Sequence, residues 1–404
     1  MKKVIVVGGG AAGFFAAINA KEKNPDLDIS ILEKGSEVLQ KVKISGGGRC
    51  NVTHACFDPA ELTSFYPRGE KELRGPFHTF MTGDTFEWFD ANGIPLKIEE
   101  DGRVFPESNS SQTIIDCFLQ KTKELNIEIR KNCGVIGLEK KKAQWMVKTK
   151  KENLVCDAVV FATGSSKQAW KILGQLEHSL VPPVPSLFTF NIKDDLLTDL
   201  PGVSVPNATV SLLKTKLENS GPLLITHWGL SGPAVLKLSA FGARVLHGMN
   251  YQYQVQVNWI SKPFTDVEEE LWEFKSDASN KKVVAKSMYP EIPRRLWEKL
   301  VISAGIDSNK NWADLRKKEL ETLANRLTAC VFHAQGKSTF KEEFVTAGGV
   351  SLKEINFKTF ESKLHSNLFL IGEVIDIDAV TGGFNFQNAW TGGWMVSEAL
   401  KGRF

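Results

Sequence analysis

The sequence predicts an α/β fold: a Rossmann-type dinucleotide-binding domain built from both ends of the chain and interrupted by a β-rich insert and a helical insert. Three observations carry that expectation. Residues 4–33 read VIVVGGGAAGFFAAINAKEKNPDLDISILE, which is strand, glycine turn, helix and second strand in order. Residues 367–404 give another apolar run, another glycine turn and a terminal helix. Between them, prolines at 182, 183 and 185 open a region of short alternating strands followed by helical spacing.

Val4, Ile5, Val6 and Val7 are β-branched, as suits a strand buried on both faces. Gly8, Gly10 and Gly13 then supply the G-x-G-x-x-G spacing. The first glycine serves the tight turn, the second the close approach of backbone to pyrophosphate, and the third the packing of helix on strand. Ala11 and Ala12 begin the helix whose free N–H groups and positive dipole end face those phosphates. The second strand ends in Glu33, 20 residues beyond Gly13, where an acid meets a ribose diol. Glu33 also argues against a 2′-phosphate there, because two anions repel. The motif by itself leaves NAD and FAD open.

Length and composition bound the rest. The chain has 404 residues, long enough for two or three domains, and its 42% apolar content is ordinary for a globular protein. A short apolar run behind Lys2 and Lys3 does not make a signal peptide, and no stretch approaches a transmembrane helix, so a cytoplasmic protein without a membrane partner is expected. None of the six cysteines forms C-x-x-C, which removes the sequence signal for a paired redox centre or a zinc site; no metal is expected. A net charge of +3 does not argue for nucleic acid. One local excess, ten Lys and Arg against four acids over residues 121–153, reads as a solvated face.

Residues 41–51, KVKISGGGRCN, read as a second phosphate- or ring-binding loop, in which Lys41, Gly47, Gly48, Arg49, Cys50 and Asn51 are candidate contacts. Residues 79–92 suit a helix, residues 96–104 a hairpin through Asp101-Gly102, and residues 111–125 an amphipathic helix. Strands at residues 127–130, 135–139 and 145–149 read as a β-meander. The run at 155–161 closes in Ala162-Thr163-Gly164, small residues that let the backbone pass beneath a nucleotide. With the first motif it points to the glutathione-reductase-like two-dinucleotide class. Residues 186–261 then read as β-rich and residues 266–334 as helical, with a strand returning at 341–345.

The C-terminal region decides the cofactor. A buried strand ends in Gly372-Glu373, and the turn at Gly382-Gly383 starts a helix containing Phe384, Asn385, Phe386, Gln387 and Asn388. In a flavoprotein the acid binds a ribityl hydroxyl and the helix start faces the pyrimidine edge of the isoalloxazine. An NAD-only dehydrogenase has no use for this second arrangement, so FAD is the expected cofactor. Lys34, Gln40 and Val135 complete the expected contacts. Gly392 and Gly393 inside that helix each cost on the order of 1 kcal/mol against Ala, which close approach to the cofactor or to the first helix would justify.

Together GGGAAG at 8–13, SGGGRCN at 45–51, GRVFP at 102–106, THWGLSGPAVL at 226–236, TAGGV at 346–350 and GGFNFQNAW at 382–390 resemble the bacterial FAD-dependent aminoacetone-oxidase-like flavoproteins. That group includes bile-acid dehydro-reductase-like proteins and flavoenzymes proposed to form dihydrouridine in ribosomal RNA. The resemblance covers nearly the whole chain. It implies a discontinuous FAD domain, residues 1–185 and 346–404, carrying a β-barrel-like insert at 186–261 and 335–345 and a helical insert at 262–334. Asn388 departs from the pattern, since many relatives carry an aromatic residue there.

No second G-x-G-x-x-G occurs, so NAD(P)H is expected only as a transient reductant, with dioxygen as the alternative redox partner. The hydride chemistry belongs to FAD; the protein contributes orientation and electrostatics. Catalytic candidates are His227, able to move a proton near neutral pH, and Cys50. Ser231 reads as an N-cap ahead of Pro233 and Trp228 as a pocket wall. Three functions follow: a flavin oxidoreductase on a small amine, ketone or enone; a reductase forming dihydrouridine in ribosomal RNA; and a non-catalytic FAD-binding interaction module.

Overall fold

A computed structural model describes residues 1–338 and 345–404. The chain divides into two compact units, Met1–Val184 with Val345–Phe404, and Pro185–Phe344.

The first unit is organised on a seven-stranded sheet. Its order is Ile355–Asn356, Glu361–Ser362, Leu368–Leu370, Ala158–Phe161, Lys2–Val7, Leu27–Leu32 and Glu128–Arg130. The last five run parallel, with Val4 beside Ala158 and Ile29. All four residues of Ala158–Phe161 are buried, as a strand covered on both faces requires. The helix Ala11–Lys23 lies against the C-terminal helix Phe384–Arg403. Gly393 makes that approach possible, because a Cβ there would stand 2.9 Å from Ala16 N and 3.3 Å from Ala12 O. Gly392 faces Ile371 in the same way. Backbone proximity to the first helix and its sheet thus offsets their helix-propensity cost.

Three local expectations are corrected. Residues 128–130 leave the amphipathic helix Ser111–Glu124 and join the parallel sheet beside Leu27–Leu32, as a crossover helix dictates, so they are not part of the meander. The meander is instead Val135–Lys141, Gln144–Thr149 and Asn153–Cys156. The apolar run at 155–161 is therefore two strands in two sheets. They separate at Asp157, whose N–H donates to Lys3 O at 2.8 Å and whose carboxylate accepts from Lys3 N at 2.9 Å. Finally, residues 41–51 are not all loop: Gln40–Gly48 starts as helix and breaks at Ser45, Gly46 and Gly47.

The second unit is a closed antiparallel barrel in the order Thr189–Ile192, Gly229–Ser231, Glu218–Thr226, Ser204–Leu212, Gln252–Asn258 and Cys330–Ser338. Helical character does not extend to Ala334, because alternating burial from Cys330 makes Cys330–Ser338 the closing strand. The expected strand at 341–345 lies outside the described residues except for Val345, which opens Val345–Val350. Phe264–Asp277, Arg294–Ser303 and Lys317–Thr328 are helices. Their Val267, Trp297 and Leu323 share one apolar core with Val257, Trp259 and Phe332 of the barrel. Among the described residues, no helix is long and apolar enough to cross a membrane.

Candidate functional site

Two turns of the first unit form the cradle. Gly8 stands at φ +115, and a Cβ on it would lie 2.4 Å from Ala162 O and 3.0 Å from Thr163 Cα. The first glycine and the Ala162-Thr163-Gly164 segment, far apart in sequence, are thus in direct backbone contact. At Gly13 a Cβ would lie 2.1 Å from Gly8 O, which seats the helix on the turn. Gly10 differs from both. It is extended, at φ −97 and ψ −173, and its Cβ would meet nothing within 4 Å. Gly10 caps the helix with no side-chain partner for the first-turn N–H groups, which include those of Ala11 and Ala12. Open space ahead of free N–H donors is the setting that a pyrophosphate fits.

Glu33 follows the second strand, its carboxylate accepting from Gly9 N at 2.9 Å and Gly35 N at 2.7 Å. Each oxygen retains a lone pair for a ribose hydroxyl. Gly9 was not among the expected contacts, yet it orients the acid. Lys34 and Gln40 are exposed on the same segment, Lys34 beside Gly134, and Val135 is buried at the start of its strand.

The second turn holds Gly46, Gly47 and Gly48, all at positive φ, and Gly47 and Gly48 again face open space. Two of the cations around it are already paired. Arg49 Nη1 lies 2.5 Å from Glu99 Oε1 and its guanidinium sits 3.9 Å from the Phe105 ring centre. Lys41 is ion-paired with Glu373, which brings together two predicted contacts 332 residues apart. Gly372 and Gly164 lie at the same place, Gly372 facing Ala12 and Gly164 facing Glu373. Asn51 ties this turn to the C-terminal helix, donating to Thr53 O at 2.9 Å and accepting from Gly383 N at 3.0 Å.

Several expected roles are corrected here. Cys50 is wholly buried and burial pushes its thiol up to about 12, which argues against a thiolate role at neutral pH. Gln387 is buried, with its Oε1 accepting from Thr53 and Thr85 at 2.6 and 3.0 Å and its Nε2 donating to Thr391, so its side chain is a core link. Asn385 exchanges two hydrogen bonds with Ala379, and Phe384 stacks on Phe65 at 4.2 Å. Both side chains are therefore held by contacts within the protein. Phe386 stacks on Trp390 at 5.6 Å.

Asn388 behaves otherwise. It is 1% exposed and its Oδ1 has no hydrogen-bond partner among the described residues. A buried acceptor left unmatched costs about 1–3 kcal/mol, so this atom requires a donor. A heterocycle with an N–H edge is one such donor, and the open space at Gly10, Gly47 and Gly48 makes the cradle suitable for FAD.

Two groups escaped sequence reasoning. The buried Arg68–Asp378 pair, with Nε 2.5 Å from Oδ1, pins the segment that follows Gly372–Val374. His54 packs 4.5 Å from the Phe384 ring with its Nδ1 3.1 Å from Gly382 O. No short-range pattern announces either, because their partners are more than 300 residues away.

His227 belongs to the second unit, exposed at the hairpin between Glu218–Thr226 and Gly229–Ser231. It lines an open groove with Ile192, Asp194, Asp195, Asp199 and Pro201. Trp228 is exposed on the same turn. Ser231 is not the N-cap: it ends a strand and accepts from Thr189 Oγ1 at 2.8 Å, while Gly232 caps a helix with Pro233 at its first position.

Residues 2–399 match the family described as HI0933-like protein Rossmann domain. A 3-dehydro-bile acid delta(4,6)-reductase of Clostridium scindens is 24% identical over 413 residues and 100% of both chains. The ribosomal RNA dihydrouridine synthases of Haemophilus influenzae and Escherichia coli are 28% and 27% identical, each match spanning 98% of this chain and 98% and 97% of theirs. Among solved structures, the 3-ketosteroid delta1-dehydrogenase of Sterolibacterium denitrificans aligns over 100% of both chains with a TM-score of 0.53 at 11% identity, a likeness of fold.

Proposed function

The chain belongs to the HI0933-like family of FAD-dependent oxidoreductases, and from that premise we propose that it reduces a carbon–carbon double bond conjugated to a carbonyl. The observation that supports this reading is a common reaction behind two differently named activities. A 3-dehydro-bile acid with 4,6-unsaturation and a uracil ring both present C=C–C=O, and the full-length relatives are named for saturating such bonds. At a bond next to the carbonyl, hydride adds to the β carbon and a proton to the α carbon; at the 6,7 bond of the dienone the same addition is relayed through the conjugation, hydride to the δ carbon and proton to the γ carbon. This narrows the expected amine, ketone or enone to the enone.

Bound FAD supplies the hydride equivalent. In this reading the N–H groups at Gly10, Ala11 and Ala12 hold the pyrophosphate, Glu33 the adenosine ribose, Glu373 the ribityl chain, and Asn388 accepts from the ring edge. Lys41 holds Glu373 in place through their ion pair. NAD(P)H is proposed as the reductant, docking transiently, since one glycine fingerprint is present.

A second substrate has its own support. Two relatives named for ribosomal RNA are 28% and 27% identical, against 24% for the bile-acid enzyme, which favours uridine in RNA as a competing enone. Anaerobic titration with NADH and NADPH should bleach the flavin near ~450 nm, as reduction of an oxidised flavin does. Adding a 4,6-dien-3-one steroid or a ribosomal RNA fragment should restore the colour and yield the saturated product. Colour restored by dioxygen alone, with neither acceptor consumed, would refute enone reduction. Dihydrouridine missing from the ribosomal RNA of a deletion strain would choose the RNA.

A further inference from the structure

Tyr251 and Tyr253 stand at one end of the barrel in the second unit, two residues apart at the start of Gln252–Asn258. Both phenol oxygens are closed off from solvent, and neither has a hydrogen-bond partner among the described residues. Tyr253 is 8% exposed. Buried polar groups nearly always find partners, so two unmatched hydroxyls on neighbouring side chains call for an acceptor that the polypeptide does not supply.

The surroundings show what kind. Tyr251 meets the Phe188 ring edge-on at 5.7 Å, Tyr253 meets Phe190 at 5.2 Å, and the two phenylalanines lie 6.0 Å apart. These rings make one apolar cluster. Lys337 places its ammonium 4.2 Å from the Tyr251 ring centre and has no ion-pair partner among the described residues. Two hydroxyls and an ammonium thus belong to one cluster of rings, and among the described residues no acceptor is found for the hydroxyls. Burial raises the pKa of both phenols, so each keeps its proton and can donate, and the Lys337 ammonium beside them favours an electron-rich oxygen as the partner.

The backbone supports the same reading. Tyr251 holds φ +56 directly after Asn250 at φ +51, a conformation that a bulky side chain rarely adopts. Two hydrogen bonds fix it: its N–H donates to Leu246 O at 3.0 Å, and its carbonyl accepts from Gly336 N at 2.8 Å. Lys337 lies over the Tyr251 ring on a flexible stem, so its ammonium can turn toward a ligand there.

We propose that the Tyr251–Tyr253 end of the barrel, with Lys337, binds the carbonyl or enolate oxygen of a planar conjugated ligand. The site stands on residues of the second unit alone; only the choice of ligand class rests on the enone reading. Steroid enones and uracil rings share that chemistry.

Calorimetric titration of the FAD-loaded, oxidised protein with cyclohexane-1,3-dione, a planar oxyanion at neutral pH, tests it without turnover. Binding should weaken about fivefold in Tyr253→Phe and in Tyr251→Phe, one hydrogen bond's worth each. The melting temperature should stay level or rise, since an unmatched buried hydroxyl is removed. Lys337→Met should weaken binding of the dione more than that of neutral cyclohex-2-enone. Absence of binding at millimolar dione, or affinity unchanged in both Phe variants, would overturn the site. Enone turnover is assayed separately, so a protein that reduces enones but ignores the dione loses this inference alone, and one that binds the dione without reducing enones loses only the reductase reading.

Discussion

The turn at Gly8–Gly13 and the turn at Gly46–Gly48 both present backbone N–H groups to the cradle, but they need glycine for different physical reasons. In the first, collision decides. Gly8 and Gly13 leave no room for a Cβ, with backbone oxygens at 2.4 and 2.1 Å from where it would stand. In the second, Gly46 is crowded too, with Phe105 Cε1 2.8 Å from where a Cβ would stand, but at its other two glycines conformation decides. Gly47 and Gly48 have space around them but hold φ +67 and +84, where an L side chain is strained. Gly10 belongs to neither class, being unstrained and uncrowded. The comparison separates what each glycine does for the fold from what it does for the cofactor.

Gly13→Ala should have the largest effect. Its Cβ would press on a backbone carbonyl that cannot rotate away, and overpacking of this kind costs about 3 kcal/mol or more. Thermal melting of the apoprotein should show a large loss of stability, or no folded protein. A normal apoprotein melt would mean that the first turn is not held by close packing.

Gly10→Ala should reverse that pattern. The apoprotein should keep its stability within about 0.5 kcal/mol, as an uncrowded surface change does. FAD affinity should drop at least tenfold, about 1.4 kcal/mol, because the methyl group enters the space reserved for the pyrophosphate. Equilibrium dialysis and a melt on the same sample measure both. Loss of stability with FAD affinity intact would place Gly10 among the packing glycines.

Gly47→Ala should fall between, costing about 1 kcal/mol of folding stability through its left-handed backbone, with a smaller loss of FAD affinity than Gly10→Ala. Equal affinity losses in the two variants would erase the distinction between the turns.

How much of this was legible in the sequence follows from how far each contact reaches along the chain. Gly8, Gly10, Gly13 and Glu33 are spaced by one strand–turn–helix–strand unit, so their pattern is local and readable. The glycine pair at 392–393 was readable as a cost needing a cause, and the cause is the first helix at Gly393 and the Ile371 side chain at Gly392. The split at Asp157 was hidden because apolar residues flank it on both sides, and its part as the break is set by Lys3 of the distant first strand. The Lys41–Glu373 and Arg68–Asp378 pairs join residues more than 300 apart, beyond any spacing rule. Gln387 looked like a ligand because it sits in the motif. Burial against Thr53 and Thr85 makes it core. The tyrosine hydroxyls were unreadable for a different reason: an unmatched donor is defined by what surrounds it.

The smallest effect concerns Cys50, which follows the second turn at φ +62 and is shut inside the protein. Burial raises its thiol from the ordinary 9.0 to about 12, and a hydrogen bond with Ser45 offsets this only in part. A thiol raised on folding contributes stability that is fully present below pH 9 and is lost as pH climbs from 9 toward 12, because the unfolded chain releases the proton first. Cys50→Ala should therefore leave the enone-reduction rate and its pH profile unchanged between about pH 6 and 8.5, a range lying below both thiol values. Denaturation curves taken above pH 9 should lose part of their decline in the variant; Cys56, Cys117 and Cys156, also raised by burial, retain the remainder. Rapid alkylation of Cys50 by iodoacetamide in the folded protein at neutral pH would contradict a buried, protonated thiol. The second turn would then be an opening as well as a cradle, and the contrast with the tightly packed first turn would become one of access rather than of backbone conformation.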